Sequence, residues 1–186
     1  WNLDSERVGA CGGSAGGCSS LWLALHDDMA DPDNPDPVAR CSTRIHCAAV
    51  SGAQTTLDPH TMREWIPNSV YGGHAFGFRR PGAARDAAFD EFHRNRDQIL
   101  GFLREYSPIE HASPDDPPLW LGYGQKEKAV KGEKQADPTH STLFGLILRE
   151  KLEPMGVEVI VTSPAQPEGP YRNPTDYFLA RLPRPR

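Results

Sequence analysis

No stretch of this 186-residue chain approaches the roughly 18 consecutive apolar residues that a membrane-spanning helix needs. The N-terminus has no basic segment leading into an apolar run, so no signal peptide is expected in the sequence as numbered. Basic charge is in deficit: 20 Lys and Arg against 25 Asp and Glu give a formal net charge of −5. That balance argues against nucleic acid or an anionic membrane as partner. Cysteine is sparse as well. Cys11, Cys18, Cys41 and Cys47 allow two disulfides at most, too few for a disulfide scaffold, and their spacing fits no Cys-x-x-Cys metal site. Cys11 and Cys47 fall within expected strands, where a buried reduced thiol is the simplest reading, and the compartment stays open. What remains is ordinary. Apolar residues at 38% and charged residues at 24%, with both signs mixed, suit one domain with a hydrophobic core.

Along the chain, a turn-like opening over residues 2–6 leads to a short apolar run, Val8 to Cys11, that stops at Gly12-Gly13. Ala15 to Leu25, rich in small residues and then in Leu and Trp, reads as a helix. Three prolines within residues 31–37 impose a loop. A β-branched and apolar strand is expected from about Thr43 to Val50. Residues 58–112 interrupt the alternation of strand and helix. A short helix is expected from Pro59 to Ile66, a Gly- and aromatic-rich piece from Tyr71 to Pro81, and a long amphipathic helix from Ala84 to Tyr106. This insertion is expected to cap one end of the sheet. A strand at Pro118–Tyr123, a lysine-rich and mobile loop at Gln125–Asp137, a helix at Thr142–Leu152, a strand at Val157–Val161 and a helix at Pro174–Leu182 behind the N-cap Asn173 complete the pattern. The order predicts a single α/β domain with a mostly parallel sheet flanked by helices.

The chemistry centres on Gly12-Gly13-Ser14-Ala15-Gly16, which fits G-x-S-x-G between a strand and a helix. A serine on such a turn has a strained backbone, so the glycines two residues either side are expected to be needed to avoid clashes. The turn lifts Oγ clear of the backbone, and the Ala15 N–H at the helix start suits an oxyanion. A glycine-rich turn without chemistry, or one that binds phosphate, is the competing reading. The Rossmann spacing G-x-G-x-x-G is not met.

Arg7-Val-Gly-Ala-Cys-Gly-Gly-Ser-Ala-Gly-Gly-Cys, followed by Ser51-Gly-Ala and by Tyr106-Ser-Pro with Asp116-Pro-Pro-Leu-Trp-Leu, resembles bacterial α/β-hydrolases of the acetyl-esterase, feruloyl-esterase and hormone-sensitive-lipase group. The resemblance covers most of the chain and is weakest between residues 59 and 105. It implies the C-terminal part of an α/β-hydrolase whose N-terminal strands, and whose His-Gly-Gly-Gly-type oxyanion loop, are missing. It implies a Ser-His-Asp mechanism on a small-molecule carboxylic ester, with no metal or organic cofactor. The open sheet edge leads us to expect a homodimer or a second chain covering it.

In this family the acid follows the third of these strands and the histidine follows the last. Thr162 to Arg186 contains no histidine. Asp137 suits the acid, with Glu127 as the alternative. His140 alone lies beyond the acid, three residues on, within contact if a helix begins near 138. His74, in the Gly- and aromatic-rich piece, is a second candidate base. His26, His46, His60, His93 and His111 show no spacing that argues for a site. Trp65, Tyr71, Phe76 and Phe78 either line a substrate pocket or pack the cap. Asp27, Asp28, Asp31, Asp33 and Asp36 raise calcium, but without EF-hand spacing a solvated loop is the simpler reading, as it is for Lys126, Lys128, Lys131 and Lys134. Two functional classes follow: a serine esterase with Ser14, His140, Asp137 and the Ala15 N–H, or a catalytically impaired α/β-hydrolase fragment that binds a ligand or partner.

Overall fold

The computed structural model describes Asp4 and residues 7–78, 82 and 84–182; the turn expected over residues 2–6 lies, Asp4 apart, outside them. The apolar runs form four strands: β1 (Gly9–Gly13), β2 (Cys47–Ser51), β3 (Leu119–Gly122) and β4 (Val159–Thr162). They pair in sequence order, every pair parallel. The helices are α1 (Ala15–Leu25), α2 (Pro59–Trp65), α3 (Arg85–Arg94), α4 (Leu100–Tyr106), α5 (Leu143–Leu152) and α6 (Pro174–Arg181); α1, α5 and α6 pack on the strands, and α2 packs on α3.

Alternation along the strands sends neighbouring residues to opposite faces. Ala48, Val50, Leu119 and Leu121 pack with Leu21 and Leu25 of α1 and with Phe144, Leu148 and Leu152 of α5. Cys47, Ala49 and Trp120 face the other way, onto Tyr177 of α6. Covering both faces lets a parallel sheet run as continuous apolar strands. Cys47 is fully buried, as expected, but Cys11 is exposed. Cys11 pairs with Ala49 on the α6 face, and on the edge strand that helix does not cover it.

The first strand runs on to Gly13, and larger differences from the sequence reading follow. The second strand begins at Cys47, not Thr43, because residues 43–46 are engaged elsewhere. The Thr43 amide and hydroxyl bond Asp28, and Arg44 is ion-paired with Asp115. The last strand likewise begins two residues late, at Val159. The long helix expected over 84–106 is broken at Asn95, with a short 3-10 turn (Arg96–Ile99) before α4.

That break places Arg96 against Asp58, the N-cap of α2. Arg96 Nε and Nη2 donate to the Asp58 carboxylate at 3.0 and 2.6 Å, while Asp58 also accepts from the His60 N–H at 2.9 Å. Burial raises the Asp58 pKa, but the Arg96 bond, its charge and the backbone amides outweigh it, leaving the carboxyl below its ordinary value. A depressed folded-state pKa gives stability that is present above the unfolded value of about 3.9 and lost as pH falls through the folded one. Asp58→Asn keeps a capping oxygen and removes the charge. Its melting temperature should fall below wild type near neutrality and converge on it as pH falls through the depressed folded-state value. Thermal melts across that range check this; a constant difference would remove the ionic part of the account.

Candidate active site

Ser14 stands between β1 and α1 with φ 51° and ψ −120°, the one non-glycine positive φ among the described residues. A conformation of this kind costs on the order of 1–3 kcal/mol and persists where its surroundings enforce it. Here the Ser14 N–H donates to the Ser51 carbonyl at 2.9 Å, and its own carbonyl accepts from the Cys18 N–H at 2.9 Å. Ser14 is the N-cap of α1, yet its hydroxyl makes no capping bond. Oγ is directed instead to His140 Nε2, 3.0 Å away. The Ala15 N–H, in the first turn, has no partner four residues back in a helix.

The steric demand around the elbow falls differently from the sequence expectation. A Cβ on Gly12 would collide with the backbone of Gly16, and one on Gly17 would lie 2.9 Å from the Ala53 Cβ. A Cβ on Gly16 would meet nothing within 4 Å. Gly12 and Gly17 let helix and strand approach closely; Gly16 is not required for space. Gly12→Ala should therefore cost several kcal/mol, or the fold itself, as overpacking against a rigid backbone does, roughly 1–3 kcal/mol or more. Gly16→Ala should change stability by less than about 1 kcal/mol. Chemical denaturation of both variants checks the contrast.

His140 is brought to Ser14 by the segment between β3 and α5. No helix begins at 138. Residues 137–140 form a turn in which Asp137 Oδ1 accepts from the Thr139 and His140 N–H groups, both at 3.2 Å. Asp137 Oδ2 accepts from His140 Nδ1 at 2.9 Å, which leaves Nε2 as the acceptor toward Ser14. Burial raises the Asp137 pKa, but the bond and charge of His140, with the two amides, hold the carboxyl below its ordinary value. Both side chains meet solvent: His140 is 38% and Asp137 60% exposed.

Gly52 and Gln54 support the imidazole and its turn, Gln125 ties down the chain on either side, and the sequence reading assigned none of them a role. Gly52, at φ +58°, carries the His140 ring so closely that a Cβ there would lie 3.3 Å from Cδ2. Gln54, fully buried, donates from Nε2 to the Thr139 carbonyl at 2.6 Å and holds the turn in place. Gln125 accepts the Thr142 N–H at 2.9 Å and donates to Gln135 at 2.7 Å. Gln135 is buried and exchanges bonds with Asn68, so the 125–137 loop, expected to be mobile, is anchored at several points.

The remaining candidates lie apart from this constellation. Glu127 is exposed, and Asp137 is the carboxylate on the imidazole. His74 is exposed and sits edge-on to Tyr71. Trp65 belongs to the core, against Phe144, and Phe78 packs on Phe92. Phe76 lines an apolar cavity of about 450 Å³ with Leu57, Ile99, Phe102 and Tyr106. In the 27–36 loop, Asp28 accepts from Ser42, Thr43 and Ala30, which brings its pKa down to about 2, and Asp31 accepts from Asp33 and Asn34. Lys131 pairs with Glu64 at 2.6 Å. A cleft of about 460 Å³ opens at the carboxyl ends of β2, β3 and β4, lined by Ser51, Gly52, Tyr123, Gly124, Ser163 and Arg172 among others. Ser51 and Gly52 place its margin beside the Ser14–His140 pair.

No protein-family model and no curated protein sequence matches the chain. Solved structures do. An acetyl ester-xyloside bifunctional hydrolase from Caldicellulosiruptor lactoaceticus superposes with a TM-score of 0.57 at 22% identity, over 90% of this chain and 48% of that one. A truncated form of a carbohydrate esterase from gut microbiota gives 0.57 at 12% identity, over 97% and 61%. A thermophilic esterase of the planctomycete Thermogutta terrifontis, propionate-bound, gives 0.51 at 19% identity, over 87% and 45%. The chain spans about half the length of the first and third of these proteins and about three-fifths of the second. Over that span it has their fold, a parallel sheet with helices on its faces in the α/β-hydrolase arrangement.

Proposed function

We propose that the chain carries the reacting groups of a serine esterase, with Ser14 as nucleophile, His140 as general base and acid, and Asp137 as the residue that orients the imidazole. The observation that carries the reading is the continuous run Asp137 Oδ2–His140 Nδ1–His140 Nε2–Ser14 Oγ, at 2.9 and 3.0 Å, on a serine of positive φ. These distances are within hydrogen-bond reach, as proton transfer requires.

In this mechanism Ser14 Oγ attacks the ester carbonyl carbon while its proton passes to His140 Nε2. The carbonyl oxygen becomes an oxyanion, which accepts the Ala15 N–H in the field of the α1 N-terminus. The carbon–oxygen bond to the alcohol then breaks, and that alcohol leaves with the proton from Nε2. Water attacks the resulting acyl-serine, gives its proton to His140, and the carboxylic acid leaves as Ser14 recovers its hydrogen. The substrate class we favour is a short-chain acyl ester, since the fold neighbours include an acetyl ester-xyloside hydrolase, a propionate-bound esterase and a carbohydrate esterase. The cleft at the strand ends is the natural seat for one side of the ester.

Exposure sets the weight of the acid. A charge pair at about 4 Å is worth roughly 1 kcal/mol in water and about 4 kcal/mol at an effective dielectric of 20. In enzymes with a buried aspartate, the amide variant loses about 10⁴-fold. With Asp137 60% exposed, Asp137→Asn should lower kcat for p-nitrophenyl acetate by only about 10- to 100-fold. Initial-rate kinetics of wild type, Asp137→Asn and Ser14→Ala test the proposal. A wild type no faster than Ser14→Ala would refute it.

A further inference from the structure

A second cluster of chemically capable side chains lies at the far end of α1. His26 follows the last residue of that helix, Glu105 lies in the last turn of α4, and His111 closes a 3-10 turn (Pro108–His111). One ligand atom from each lies within 4.8 Å of the others. His26 Nε2 and Glu105 Oε1 are 3.5 Å apart, and the two imidazole rings have centroids 4.7 Å apart.

The hydrogen bonds to the opposite ring nitrogens decide what this cluster offers. His26 Nδ1 is 2.9 Å from the Asp27 carbonyl, and His111 Nε2 is 2.6 Å from the Glu105 carbonyl. A carbonyl only accepts, so each of these nitrogens carries the proton. Neutral His26 then presents the lone pair of Nε2, and neutral His111 that of Nδ1. Backbone carbonyls holding the second nitrogen are the usual outer support of metal-bound histidines, because they fix the tautomer and the ring plane. Trp22 adds rigidity, with its ring 4.5 Å from that of His26 and its Nε1 donating to the Glu105 carbonyl at 2.6 Å. The C-terminus of α1 also favours positive charge at this spot.

We infer that His26, Glu105 and His111 form a binding site for a divalent transition cation of the zinc class, with water as the fourth ligand. Two neutral imidazoles and a carboxylate are ligands that Zn²⁺ takes in tetrahedral geometry. Tetrahedral ligands at about 2.0–2.1 Å lie roughly 3.3 Å apart, so the His26–Glu105 pair already has the required spacing, and small side-chain rotations bring in His111. The site lies the length of α1 from Ser14, roughly 16 Å for 11 residues, so its role is to staple the 105–111 segment to the core helix rather than to take part in ester chemistry. The inference does not depend on the esterase reading.

Titration calorimetry of Zn²⁺ into the full chain tests it, on a background in which the exposed Cys11 and Cys41 are replaced by serine so that they do not compete. One-to-one binding is expected, weakened at least about 100-fold in His26→Gln/His111→Gln and also weakened in Glu105→Gln. Zinc should raise the melting temperature of the parent and not of the double variant. Addition of chelator should lower that temperature while leaving the initial rate of ester hydrolysis unchanged at 25 °C. If a double variant failed to fold, Glu105→Gln alone would carry the test, since it preserves shape and removes the charge. No binding by the parent, or equal binding by the folded double variant, overturns the inference.

Discussion

Ser14→Ala should reduce hydrolysis of p-nitrophenyl acetate to the uncatalysed background, with the fold intact. The hydroxyl makes no capping bond, so its removal costs α1 no N-cap interaction. What is lost is the nucleophile at the end of the His140 hydrogen bond. Losses on removing the nucleophile of such a unit reach about 10⁶-fold in kcat. The strain at φ 51° supplies an independent readout. Ser14→Gly should be as inactive as Ser14→Ala, yet more stable by about 1 kcal/mol or more, because glycine adopts this backbone without a Cβ penalty. Equilibrium denaturation beside initial rates measures both effects. Loss of activity with no stability gain in the glycine variant would mean that the turn stores no strain.

The second large effect is expected from His140→Ala, a loss of kcat/KM of about 10³-fold or more, within the range of 10² to 10⁴ assigned to a positioned general base and upward where nucleophile and base act as a unit. The described residues place no other imidazole on Ser14 Oγ, and the region after β4, where the resemblance leads one to look for the base, contains no histidine. One signature separates a base from a structural residue. Because the ring is 38% exposed and rests on Gly52, its removal leaves a space that solvent reaches, and added imidazole should restore part of the activity. A variant that added imidazole does not rescue would assign His140 to packing.

The sequence was most informative where local rules act alone. Ala15–Leu25 is helical over the expected residues, and Asn173 caps α6 by accepting the Asp176 N–H at 2.9 Å. Parallel pairing followed from unbroken apolar runs separated by helices. Boundaries moved where a distant partner intervened: Asp28 and Asp115 hold residues 43 and 44 out of β2, and the Arg96–Asp58 pair accompanies the break after α3. At the site, the G-x-S-x-G pattern pointed to Ser14, and the spacing of Asp137 and His140 pointed to a contact. That contact arises through an Asx-type turn and not through a helix. Gly17, Gly52 and Gln54 escaped notice because their roles depend on what the fold brings against them: Ala53 on Gly17, the His140 ring on Gly52, the Thr139 carbonyl on Gln54. His26, Glu105 and His111 escaped for the same reason, lying 79 and 6 residues apart in the chain.

The most direct measurement is covalent. The purified chain, its Ser14→Ala variant and its His140→Ala variant are treated with a fluorophosphonate probe, and the adduct is located by peptide mass spectrometry. An activated serine is predicted to label on the peptide containing Ser14, more slowly by at least about 10²-fold in His140→Ala, and not at all in Ser14→Ala. Absence of an adduct, an adduct at another serine, or equal labelling rates in wild type and His140→Ala would contradict the Ser14–His140–Asp137 assignment.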